Sequence, residues 1–240
     1  MPSWPGHGRL VVMTATDVIS LTEKMDGSDL LRELEPLAAR EVDRHMKVAV
    51  DWMPHDYVPW DEGRNFAALG GVDYEPEQSR LSDVAQAAMI TNLLTEDNLP
   101  SYHRVIADNF SMDSAWGYWV GRWTAEENRH GIAMRDYLVV TRGVDPVALE
   151  QARMLHMTSG YSPELTAGDR IDEFTTPTGQ MGILRSVAYV TFQELATRVS
   201  HKNTGKACND PIADKLLQRI AADENLHMQF YRNICGAGMD

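Results

Sequence analysis

Two glutamate–histidine pairs carry the most specific chemistry in the chain, Glu127-x-x-His130 and Glu224-x-x-His227. Residues three apart on a helix share a face, so the carboxylate and the imidazole of one pair can reach a single metal ion. A lone glutamate precedes each pair: Glu96 lies 31 residues before Glu127, and Glu194 lies 30 before Glu224. The order Glu, then Glu-x-x-His, thus occurs twice. The pairs alone are weak evidence. With 15 glutamates and 8 histidines in 240 residues, random placement yields roughly half of one such pair. Weight comes from the repeated spacing, which suits helix hairpins that cross at one level. Two pairs and two lone glutamates, one element each, make the two-metal carboxylate site of four-helix bundles. Carboxylate and imidazole ligands suit iron, manganese and zinc, and ligand type alone does not choose among them.

The segments that must position these residues read as helices. Asp26-Gly27-Ser28 precedes a first helix, about 29–52, with Leu30, Leu31, Leu34, Leu37, Ala38, Val42 and Met46 at helical spacing, and Pro54 ends it. Residues 54–81, with Pro59, Gly70-Gly71 and Pro76, read as a long packed loop. A second helix spans about 82–109 with Pro100 as a kink. Asp113-Ser114 caps a third, to about Thr141, closed by Gly143. Asp145-Pro146 opens a shorter helix that stops near Gly160. A long helix follows over 179–203, terminated by Gly205, and Asp210-Pro211 opens the last, to about Cys235. No useful strand alternation, GxGxxG or P-loop is present. The expected fold is all-α, a four-helix bundle with additional helices.

Bulk properties narrow the function classes. A net charge of -13 and a pI near 5.0 argue against nucleic-acid binding, which needs a basic face. Two cysteines, Cys208 and Cys235, are too few for a disulfide framework or a thiolate metal site. No apolar run reaches the ~18–20 residues that span a bilayer, and the start lacks a signal-peptide core. Residues 1–27 are read as a disordered or vector-derived lead, residues 28–240 as one domain, and the protein as soluble and cytoplasmic.

At the ligand positions the sequence resembles the soluble acyl-[acyl-carrier-protein] desaturases, a ferritin-like di-iron family with plant and bacterial members. The string Trp123-Thr124-Ala125-Glu126-Glu127-Asn128-Arg129-His130-Gly131 looks like that family's most specific motif. Thr95-Glu96 before Leu99-Pro100, Phe192-Gln193-Glu194-x-x-Thr197, and Ile220-Ala221-Ala222-Asp223-Glu224-x-x-His227 match its other signatures. Trp52, in Asp51-Trp52-Met53-Pro54-His55-Asp56-Tyr57, falls where the family has a Trp before a proline-containing loop. The similarity runs from about residue 30 to 235.

The resemblance implies O₂-dependent desaturation of an acyl chain on acyl carrier protein, with electrons from ferredoxin. It implies two iron ions held by Glu96, Glu127, His130, Glu194, Glu224 and His227, and a homodimer. Taking hydrogen from a bare aliphatic carbon needs an oxidant that no side chain supplies. By resemblance, Thr197 handles oxygen or protons beside the metals, against the plainer reading of a hydroxyl back-bonded to its own helix. Trp52, His130 and Asp223 resemble an electron route from surface to metal. Asp223 could separately orient a ligand histidine, and Trp52 could be core packing. An acyl channel is expected among Met89, Leu93, Leu94, Trp116, Trp119, Trp123, Val187 and Phe192. Arg32, Arg40, Arg44 and Lys47 are the candidate cluster for an acidic partner, or an ordinary solvated face. The chain stops 13 residues after His227, so the family's further C-terminal helices are expected to be absent. The alternatives are hydroxylation or another oxidation of a carrier-bound chain, iron storage, and a non-catalytic iron- or carrier-protein-binding paralogue.

Overall fold

The computed structural model describes residues 27–159 and 182–239. Seven α-helices are found among them: α1 (Gly27–Val48), α2 (Asp83–Asp97), α3 (Leu99–Asn109), α4 (Ser114–Val140), α5 (Pro146–Ser159), α6 (Ile183–Ala207) and α7 (Pro211–Met239). No strand occurs among the described residues. The reading of residues 1–27 falls almost wholly outside them, as does the expected start of α6 at Gly179. The loop of residues 54–81 winds through four short 3₁₀ turns, Pro54–Asp56, Trp60–Glu62, Ala67–Leu69 and Pro76–Gln78.

Helix ends follow local chemistry. The Ser82 hydroxyl accepts from the Ala85 N–H at the start of α2, and the Asp210 carboxylate accepts from the Ile212 and Ala213 N–H groups at the start of α7. The expected kink at Pro100 is instead a break. Helix α2 ends at Asp97, and Pro100 sits in the first turn of α3, where its missing N–H costs nothing. Two glycine expectations change. The left-handed residue closing α4 is Arg142 (φ 52°). Its guanidinium donates to the carbonyls of Asn65, Val72 and Asp73, tying down the loop of residues 54–81. Gly205 does not end α6 but lies inside it, where α7 comes close.

Helices α2, α4, α7 and α6 pack in a ring, with α1 against α4 and α7 and α3 against α4 and α6. The buried residues form two apolar layers. One holds Leu93, Met134, Leu138, Leu217 and Ile220, and the other holds Trp116, Trp119, Trp123, Val187, Phe230 and Ile234. Along α4 the chain passes from the tryptophan layer through residues 127–130 to the other layer, and along α7 it passes through residues 224–227 in the opposite order. The two helices therefore run antiparallel, and their Glu-x-x-His pairs meet in a polar band between two greasy ones.

Candidate metal centre

Each bundle helix delivers its carboxylates at the height of this band. Glu96, Glu127, His130 and Glu224 bring one ligand atom each to within 4.8 Å of one another, and so do Glu127, Glu194, Glu224 and His227. Glu127 and Glu224 belong to both groups, so the site has two lobes with two shared carboxylates. All six side chains are buried. His130 Nδ1 lies 3.1 Å from Glu224 Oε1 and 3.7 Å from Glu96 Oε2, while His227 Nδ1 lies 2.7 Å from Glu127 Oε1 and 3.5 Å from Glu194 Oε2.

The residues fit a metal pair on one observation. Glu96 Oε2, Glu127 Oε1, Glu194 Oε2, Glu224 Oε1, His130 Nδ1 and His227 Nδ1 are all buried without a hydrogen-bond partner. Orphaned buried polar atoms are costly, and here one atom from each of six residues points into one volume. Without a cation the charges crowd. Burial, then the Glu224 and Glu96 carboxylates, push Glu127 up to about 8, and burial with Glu127 and Glu224 raises Glu194 well above the usual carboxylate range. Burial alone would lower His130 and His227. The Nε2 hydrogen bonds to Asp223 and Glu126, with the negative charge of the surrounding glutamates, outweigh it and hold both well above the usual value.

The far nitrogens of the two histidines are held by a crossed pair of carboxylates. His130, on α4, sets Nε2 3.3 Å from Asp223 Oδ2 on α7. His227, on α7, sets Nε2 2.8 Å from Glu126 Oε2 on α4. Each partner is the residue just before the ligand glutamate of the opposite pair, so the repeat extends to acid-Glu-x-x-His. The reading from sequence found Asp223 and missed Glu126, although the adjacent acid at the same place in both motifs was the signal. Asp223 Oδ2 also accepts from Trp52 Nε1 at 2.7 Å and Arg129 Nη2 at 3.1 Å, and Arg129 lies over the Trp52 ring. Trp52 is buried and stacks at 6.2 Å on His130, so a continuous indole–carboxylate–imidazole path exists. On the other side buried His45, on α1, approaches Glu126 at 3.1 Å and stacks on His227. His45, Glu126 and His227 could also surround an ion, but Arg122 lies 2.7 Å from Glu126 Oε1 and already supplies the positive charge.

Thr197 back-bonds within its own helix and also faces a candidate ligand. Its hydroxyl lies 3.1 Å from the carbonyl oxygens of Gln193 and Glu194 and 3.0 Å from Glu224 Oε2. The buried residues named for an acyl channel are divided between the two apolar layers. Met89 and Leu93 sit in one apolar layer and Trp116, Trp119, Trp123 and Val187 in the other, while Phe192 is 71% exposed on the outer face of α6. The ligand stripe on that helix turns Phe192 outward. In the basic cluster on α1, Arg32 pairs with Asp29 and Arg44 with Glu41.

A family profile described as fatty acid desaturase matches residues 26–240. DesA1 of Mycobacterium tuberculosis, described as an acyl-[acyl-carrier-protein] desaturase, is 58% identical over 221 residues, or 92% of this chain. The chain spans 63% of that relative's length. Stearoyl-[acyl-carrier-protein] 9-desaturase 6 of Arabidopsis thaliana chloroplasts is 31% identical over 76% of this chain and 46% of its own. The X-ray structure of the M. tuberculosis protein DesA2, described as an acyl-ACP desaturase, superposes with a TM-score of 0.62 at 36% identity, covering 86% of this chain and 69% of that one.

Proposed function

The chain belongs to the fatty acid desaturase family, and from that premise we propose that it desaturates a saturated acyl chain carried on acyl carrier protein. The overall change is removal of two hydrogens from adjacent carbons, with dioxygen, two electrons and two protons giving two waters. The observation that supports this reading is the pair of overlapping ligand groups that share Glu127 and Glu224. Glu96 and His130 would hold one iron and Glu194 and His227 the other, with Glu127 and Glu224 within reach of both. A bound iron pair supplies an oxidant able to attack an unactivated carbon–hydrogen bond. The chain's own groups orient and insulate. Asp223 and Glu126 fix the rings of His130 and His227 through their Nε2 atoms. The apolar layers on either side exclude water from the centre. Thr197 holds a hydroxyl proton against Glu224 Oε2, where a proton can be passed to or from the site. The Trp52–Asp223–His130 chain is proposed to carry electrons from a ferredoxin-like donor.

Aerobic turnover with a panel of acyl-carrier-protein substrates and a reducing system tests the function. Loss of two hydrogens from the product mass is expected, and gain of one oxygen atom would identify a hydroxylase instead. Glu127→Ala and Glu224→Ala test the centre: each is expected to lose bound iron, and retention of two irons per chain in both would overturn the ligand set.

A further inference from the structure

The inward face of α6 carries more than the ligand Glu194. Glu194, Thr197, His201 and Thr204 recur at helical spacing on one side. His201 is as buried as the ligands, at 1% exposure. Its Nε2 lies 2.9 Å from Glu96 Oε1 and 3.9 Å from Glu224 Oε1. Its other nitrogen, Nδ1, faces the amide of Asn92, one turn before Glu96 on α2. The Ser200 hydroxyl donates to Asn92 Oδ1 at 2.6 Å, which turns the Asn92 NH₂ toward His201 Nδ1 and Thr204 Oγ1, each 3.2 Å away. With Nδ1 accepting, the ring proton sits on Nε2 and is donated to the carboxylate of Glu96.

Glu194 shows the same device with a different donor. Trp123 Nε1 donates to its Oε1 at 3.0 Å. In both lone glutamates Oε1 is thus bound to a ring N–H while Oε2 remains without a partner in the ligand cluster. An indole N–H can only donate, whereas the imidazole donates toward Glu96 only because Asn92 and Ser200 set its tautomer.

We propose that His201 is a positioning residue that, through a tautomer set by Asn92 and Ser200, holds Glu96 with one oxygen turned into the His130 lobe of the centre. The proposal rests on the metal-centre reading above. It predicts an asymmetric consequence, because His201 supports the lobe of Glu96 and His130 while Trp123 supports that of Glu194 and His227. The variants are His201→Gln, whose amide nitrogen replaces Nε2, and His201→Asn, whose amide nitrogen replaces Nδ1 and falls short of Glu96. Both are polar and differ by one methylene, and melting curves of the metal-free chains report that each folds.

The measurement is an anaerobic Fe(II) titration against a competing chelator, with Mössbauer spectra of the loaded proteins to resolve the two iron environments. His201→Asn is expected to bind one of two irons about 10–100-fold more weakly, with one spectral component lost or altered. His201→Gln is expected to restore both. Wild-type protein that binds no iron pair overturns the metal-centre reading and this proposal with it. Wild-type and His201→Asn proteins with equal affinities and spectra overturn the proposal alone, as does equal weakening of both irons or failure of His201→Gln to rescue.

Discussion

Asp223 Oδ2 accepts from Trp52 and Arg129 and still faces His130, while Oδ1 is 2.5 Å from Arg219. Against burial, which alone would raise it, the hydrogen bond and charge of His130 and the Trp52 N–H hold this acid below the usual carboxylate range, and a charged acid keeps the imidazole ring in one orientation. Asp223→Asn preserves shape but removes the charge and turns an NH₂ toward donors. It is expected to lower iron affinity about 10–100-fold, measured by chelator competition, and Glu126→Gln is expected to do the same through His227. Trp52→Phe separates packing from conduction. A phenyl ring still packs on Tyr57 and under Arg129, so iron content should be retained, while stopped-flow reduction of the centre by an external donor should slow. Unchanged reduction would remove Trp52 from the electron path.

Helix α6 is built inside out. Its polar stripe faces the bundle, and Tyr189, Phe192, Leu195 and Val199 lie exposed on the opposite side. Hydrophobic pattern alone therefore misassigns Phe192, because the ligand residues rather than the apolar ones decide which face turns inward. The same helix depends on Gly205. A Cβ there would stand 2.7 Å from Asp214 Oδ1 and 3.2 Å from Asp214 Cα on α7. Gly205→Val is expected to push α6 and α7 apart and cost about 1–3 kcal/mol, read as a lower denaturation midpoint. Sequence placed a glycine near the end of this helix correctly but for the wrong reason: close approach of two helices, not a left-handed cap, requires it.

Across the described residues, a layer of buried carboxylates and imidazoles, each with one atom left without a partner, lies between two well-packed apolar layers. The tryptophan layer is tight, with Trp119 stacked 3.7 Å from Phe230. Metal ions that bind the folded chain and not the unfolded one stabilise it by mass action, about 2.7 kcal/mol when free metal is a hundredfold above Kd. Removing metal with a chelator is therefore expected to lower the melting temperature, and adding Fe(II) anaerobically to restore it in a concentration-dependent way. A melting temperature indifferent to metal would argue against a cation in the centre.

The all-α class and the six candidate ligands were legible in the sequence because helical spacing and a repeated motif are local properties. Asp113-Ser114, Asp145-Pro146 and Asp210-Pro211 each mark a helix start in the described residues. Glu126, His45 and His201 were not recognised, since each acts through a partner 81 to 105 residues away. Only the packing of α1 and α7 against α4, and of α2 against α6, brings those partners together. The tertiary structure also places Glu127 and Glu224 in both candidate ligand groups. Spacing along one helix sets which residues share a face, but which face meets which neighbour is settled by packing the two apolar layers.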